Sequence, residues 1–199
     1  MNKAQTLGME PSFGFGDRLG SATPGHLEAL QTKGGQIKGI FAQQSIREMT
    51  RTNRTADEVM GCAVKALDAA GYTERWGADA DHLKTEQDVD VTAAAGFVFF
   101  TIDPSGNVDF DADNYDADTV NSRFNDVQSQ TPWVDQYIGK SIDVEGTTIE
   151  FDEISVRRAA VKYGRAIIHT TNLAAYIDKV MTAKGEDYEI ELSVDETPQ

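Results

Sequence analysis

The segment Asp79-Ala80-Asp81-His82 places two carboxylates and an imidazole within four residues. Such a set can move protons or hold a cation. A neutral imidazole is a common metal ligand, and the adjacent carboxylate of Asp81 can act as general base or second ligand. Successive side chains on a strand point to opposite faces, so Asp81 and His82 serve one site only if the strand has ended there. Three other polar clusters follow predicted strands: Gly16-Asp17-Arg18, Asp103-Pro104 and Asp195-Glu196. In β/α barrels the working groups project from the C-terminal ends of the strands. His26 follows Pro24-Gly25 at a helix start, where it suits a capping role or, with Arg18 near in sequence, an anion held by the helix amides. His169, after Ile167 and Ile168, reads as a packed or surface histidine.

Two other patterns fail on spacing. Gly14 to Gly20 reads GxGxxxG, one residue too long for a dinucleotide fingerprint. The acidic run from Asp109 to Asp118 resembles a calcium loop, but its sixth position is Asn114 rather than glycine and its twelfth is Val120 rather than glutamate. It is read as a solvated acidic loop. No nucleophile elbow, phosphate-binding loop, zinc-ribbon cysteines or HExxH pair is present, which leaves carboxylate and metal chemistry.

The elements that must position these residues alternate along the chain. Strands are predicted at Ser12 to Gly16, Ile37 to Ala42, Ala78 to Lys84, Phe97 to Ile102 and Tyr188 to Val194. FVFFTI at Phe97 is apolar throughout, as expected of a strand covered on both faces. Helices are predicted from Pro24 to the Gly34-Gly35 pair, from Ser45, from Thr55, from Thr85 to Ala95, from Asp116 to Ser129, and from Glu153 to Ala183 with a break near Gly164. Thr55-Ala56-Asp57-Glu58 has the form of a capping box. Ser141 to Phe151, with Gly146 between two alternating runs, reads as a hairpin. The pattern is that of parallel α/β architecture. Five core strands in 199 residues, against about 250 for a whole β/α barrel, lead to the expectation of one incomplete TIM-type barrel domain over residues 1–199. Its last, C-terminal units would be missing.

Composition narrows the function classes. The formal charge is −15, from 33 acidic and 18 basic residues. That opposes binding to nucleic acid or to an anionic membrane surface, while one or two placed arginines can still hold a small anion. No 18-residue apolar run and no signal-peptide pattern occur, so a cytoplasmic location is expected. Cys62 is the sole cysteine and reads as a small buried filler. The oligomeric state stays open.

Three blocks carry a resemblance. GFGDRLGSATPGH (Gly14 to His26), GADADHLKTEQDVDVTAAAGFVFFTIDPS (Gly77 to Ser105) and IELSVDET (Ile190 to Thr197) resemble, in this order, blocks of the tagaturonate epimerase family. The resemblance implies a metal-dependent, barrel-like enzyme interconverting tagaturonate and fructuronate in hexuronate breakdown. It implies Asp81 as proton acceptor, His82 as first ligand of a divalent metal and Glu196 as proton donor, with Glu191 as fallback. The remaining metal ligands would lie beyond Gln199. Arg18, Asp17 and His26 are the expected contacts of a small sugar-acid substrate. Another metal-dependent sugar isomerase or aldolase on the same fold is the alternative, as is a non-catalytic sugar-acid-binding module.

Overall fold

The computed structural model describes residues 3–195. The chain divides into two compact units, Met1–Asp103 with Leu173–Ser193, and Pro104–Asn172 with the segment from Val194.

The first unit is built on a five-stranded sheet in the order β1 (Ser12–Gly16), β2 (Lys38–Ser45), β3 (Gly77–Leu83), β4 (Phe99–Ile102) and β7 (Glu189–Leu192). All four pairings are parallel. Neighbours in the sheet are successive strands of the unit, because each crossover returns the chain beside the strand it left. Helices α1 (Thr23–Lys33), α3 (Ala56–Ala69) and α4 (Glu86–Ala95) supply those crossovers, with α2 (Ile46–Thr52) following β2 directly. Two of these helix starts carry local signals. Thr55 and Glu58 form the capping box of α3, and Thr85 with Asp88 forms a second at α4.

The core of this unit lies on one side of the sheet. Phe41, Ala78, Ala80, Phe100 and Ile102 meet Leu27 of α1, Leu67 of α3, Val89 of α4 and Leu173, Ile177 and Met181 of the long helix Glu153–Lys184. The other side carries the partners of a polar row, described below. FVFFTI is covered on both faces as expected, with Phe99 and the buried Thr101 on that second side. Asp17, at the end of β1, accepts hydrogen bonds from the amides of Gly20, Ser21, Ala22 and Thr23 and from the Thr23 hydroxyl, which folds the β1–α1 loop around one carboxylate.

The second unit holds α5 (Ala117–Val127), the short α6 (Val134–Tyr137), the hairpin of β5 (Lys140–Val144) and β6 (Thr147–Phe151), and the first part of α7 (Glu153–Lys184). Its core joins Val120, Phe124, Val127, Val134, Val156, Ala160 and Val161. Two expectations change here. Helix α7 runs unbroken through Gly164, which is glycine for space: a Cβ there would lie 2.9 Å from Thr131 Cγ2. The acidic run is solvated as expected, with Asp111, Asp113, Asp116 and Asp118 exposed, but it is not an open loop, because Phe110–Asn114 forms a 3-10 helix. Asp113 pairs with Lys162, and Asp109 with Arg123 and the Tyr115 hydroxyl.

Candidate functional site

The polar row lies on the face of the sheet opposite the helices. Register places Gly16 beside Gln43, Gln43 beside Asp79, and Thr101 beside Glu191. Side chains alternate along a strand, so Ala78 and Ala80 enter the core while Asp79 and Asp81 face the other way. Gln43 Nε2 donates to Asp79 Oδ2 at 3.1 Å. Thr101 Oγ1 lies 3.0 Å from Asp79 Oδ1 and 3.2 Å from Glu191 Oε2. Asp79 is only 2% exposed. Burial, added to the charges of Asp81 and Glu191, outweighs the hydrogen bonds from Thr101 and Gln43 and pushes its carboxyl up to about 7.

Asp81 and His82 stand at the C-terminal end of this row. The strand does not end between them as expected; it bulges. The β3–β4 register shifts between Ala80 and Leu83, and His82 has φ +54°. Such a bulge re-aims a side chain that regular alternation would send to the far face. His82 Nε2 lies 3.7 Å from Asp81 Oδ1, and its Nδ1 lies 3.4 Å from Asp103 Oδ2. Lys84 Nζ reaches the same Asp103 oxygen at 3.0 Å. Holding a non-glycine residue at positive φ costs about 1–3 kcal/mol, which the surrounding pairs must offset.

Beside them, Gly16, Arg18, Gln43, Gln44, Ser45, Glu48 and Asp81 line a cleft of about 270 Å³. Arg18 Nε meets Glu48 Oε2 at 3.1 Å at its edge. Arg54 braces the wall, donating from Nη1 to the Asp17 carbonyl and to Gln44 Oε1.

Comparison with known proteins fixes the relationship. The family model for tagaturonate epimerase matches residues 2–199. The chain belongs to the tagaturonate epimerase family. It is 40% identical over 195 residues to the tagaturonate/fructuronate epimerase of Thermotoga maritima, a match covering 98% of this chain and 39% of that protein. Crystal structures of the fructuronate-tagaturonate epimerase of Cohnella laeviribosi superpose with TM-scores of 0.86 for a glycerol complex and 0.85 for the native form. Both are 32% identical and cover 99% of this chain and 40% of theirs. The chain thus spans about two fifths of the length of the relatives it matches.

Against the family expectation, Asp81, His82 and Arg18 fall at one end of the sheet, and Asp81 and Arg18 share a cleft. Asp17 is adjacent, but its carboxylate is committed to its own loop. Burial pushes it up; the amides of Thr23, Ala22 and Ser21 and the Thr23 hydroxyl outweigh that and hold it below the usual carboxylate value. His26 stacks on Phe15, ring centroids 5.1 Å apart, on the helix side of the sheet. That is the face away from Asp79 and Asp81. Glu196 lies outside the described residues. Glu191 is on β7 in the polar row. Cys62 is half-buried rather than buried. Gln43 and Thr101 carry no sequence signal for the site; Asp79 enters the sequence reading only as a member of the Asp79–His82 cluster, although the Ala-Asp-Ala-Asp alternation marks it as facing the same way as Asp81.

Proposed function

We propose that this chain forms part of an epimerase interconverting tagaturonate and fructuronate, and that its parallel sheet is one portion of a TIM-type barrel. The observation that carries the reading is the bulge at His82, which sets an imidazole and the Asp81 carboxylate together at the C-terminal end of a strand, in a chain matched along nearly its whole length by the family. Successive neighbouring strands, all parallel, suit the barrel.

In this reading Asp81 is the base. The carbon inverted between the two sugar acids is β to the ketone, beyond reach of simple α-proton removal. Asp81 takes the proton of the hydroxyl on that carbon, the adjacent carbon–carbon bond breaks and its electron pair passes to the ketone fragment as an enolate, the aldehyde turns its other face, and the enolate carbon attacks it to re-form the bond. Glu196 returns the proton, with Glu191 as the second candidate. Arg18 binds the substrate carboxylate by exchanging its contact with Glu48, a charge-assisted interaction suited to a planar anion. Asp17 supports Arg18 by fixing the loop that carries it.

A divalent cation fits His82 as one ligand. A ligating imidazole commonly has a carboxylate on its other nitrogen, and Asp103 stands by Nδ1. Among the described residues no group of three His, Cys, Asp or Glu side chains is placed to hold a metal; in this reading His82 supplies one ligand of such a site. The cation would supply Lewis-acid polarisation of substrate oxygens. Among the described residues no helix is long and apolar enough to cross a membrane, in keeping with cytoplasmic sugar-acid catabolism and a small-molecule substrate.

Incubating a protein of the relatives' full length with tagaturonate and a divalent cation is expected to yield fructuronate. Asp81→Asn is expected to slow turnover by about 10²–10⁴-fold with folding unchanged. Absence of fructuronate from folded, metal-loaded protein refutes the assignment, and full activity in Asp81→Asn removes Asp81 from the mechanism.

A further inference from the structure

The Asp79–Thr101–Glu191 contacts contain a hydrogen-counting problem. Thr101 has one hydroxyl hydrogen and stands within hydrogen-bond distance of two carboxyl groups, 3.0 Å from Asp79 Oδ1 and 3.2 Å from Glu191 Oε2. A hydroxyl donates once and otherwise accepts. Were both carboxyls ionised, one would face a lone pair of Thr101 at close range, an arrangement that repels. Both contacts are attractive only if one of the two carboxyls carries a proton and donates it to Thr101, which in turn donates to the other.

Burial decides which one. Glu191 is exposed on the edge strand, whereas Asp79 is almost fully covered, and burial disfavours the charged form. The groups facing Asp79 from its neighbours are Gln43 of β2, Asp81 of its own strand, Thr101 of β4 and Glu191 of β7. The two charged ones are both carboxylates, so neither stabilises an Asp79 anion. Gln43 Nε2 donates to Oδ2, which leaves Oδ1 to carry the hydrogen toward Thr101.

We propose that Asp79 is a positioning residue held as a neutral carboxylic acid, donating through the Thr101 hydroxyl to Glu191, so that the floor of the site holds one proton and Asp81 above it remains the ionised base. The elevated value near 7 found for this carboxyl agrees with that state. The proposal rests on the reading of Asp81 as base. Its mechanism is electrostatic. An ionised Asp79 would put a second negative charge two residues from Asp81 on the same face, and like charges that close do not both ionise readily.

The test is isotope-edited infrared spectroscopy of the full chain, with Asp79→Asn used to assign the band. A protonated-carboxyl band at about pH 6 that disappears in Asp79→Asn and fades by about pH 8 is the expected result. Asparagine mimics the neutral acid, with an amide to donate and an oxygen to accept. Turnover by Asp79→Asn near neutrality is therefore expected within about threefold of the unmodified protein, with its fall at alkaline pH abolished. Thr101→Val removes the shared hydroxyl and is expected to shift the band without removing it. Only carboxylate bands at about pH 6, an unmoved band in Thr101→Val, or a loss beyond about 100-fold in folded Asp79→Asn overturns the proposal. Failure of the unmodified full-length protein to turn over tagaturonate overturns the epimerase reading instead, and the infrared result then decides this one alone.

Discussion

Asp79 and His82 lie three residues apart and solve opposite problems. His82 accepts a left-handed backbone so that its ring can join Asp81, while Asp79 keeps regular strand geometry and is buried by it. The cost of burying Asp79 has a pH signature. Its carboxyl rises from 3.8 to about 7 in the folded chain, so the native state holds a proton that the unfolded state has released. The stability tied to that proton is fully present below about 3.8 and is lost as pH rises through about 7, above which the curve is flat with respect to this group. The loss is on the order of 4 kcal/mol at most. Asparagine at this position has no such slope. Denaturant unfolding of the unmodified protein and Asp79→Asn across this window is expected to show the unmodified protein losing stability relative to the variant. Parallel curves would mean that Asp79 is ionised on folding. Asp17 and the other carboxylates remote from Asp79 contribute equally to both proteins and cancel in the difference.

At the scale of elements, the site depends on how closely β1 and β2 approach. A Cβ on Gly14 would lie 2.6 Å from Gln43 Oε1 and 3.0 Å from Gln43 Cδ. Those atoms are the far end of a flexible side chain, so Gly14→Ala is accommodated by turning Gln43 away, and the bond to Asp79 is lost. A cost of about 1 kcal/mol in unfolding free energy is expected. Because both changes break the same contact, Gln43→Ala should add little in a Gly14→Ala background. Strict additivity in that double-mutant cycle would show that Gly14 serves some other purpose. Gly14 also illustrates what was legible in the sequence. The strand over Ser12 to Gly16 follows from local pattern, as do the capped helices at Thr55 and Thr85, because propensity and capping act within a few residues. The reason for the glycine lies 29 positions away, in Gln43. Strand β2 was read as ending at Ala42 because Gln43, Gln44 and Ser45 are polar, yet it continues through them. Their polarity faces a site rather than solvent, and only sheet register reveals that. The bulge at His82 was hidden for the same reason: Asp-His carries no local signal for positive φ as glycine would. Asp81, His82 and Arg18 stand out in the sequence because strand ends and a family resemblance single them out. Asp79 has no role of its own in the sequence, only membership of the Asp79–His82 cluster, and Thr101 has none, because both sit mid-strand, where polar residues read as exceptions.

At the scale of the whole molecule, the barrel reading bears on strand β7. Among the described residues β7 pairs only with β4. The amides of Glu189 and Ser193 donate to the carbonyls of Val98 and Ile102 at 2.8 and 3.0 Å. Backbone polar groups alternate sides along a strand, so those of Ile190 and Leu192 point to the opposite edge. The same two residues are 39% and 52% exposed. An edge with open amides and apolar side chains is a template for another strand, and in a closed barrel that edge is paired. In a protein of the relatives' full length, hydrogen exchange at Ile190 and Leu192 is therefore expected to be as slow as at Phe100, which lies inside the sheet. Fast exchange confined to those two amides, with Glu191 protected between them, would leave β7 as a true edge. The fold would then be an open parallel sheet, and Glu191 would stand at its margin rather than among the inward-facing groups of a barrel.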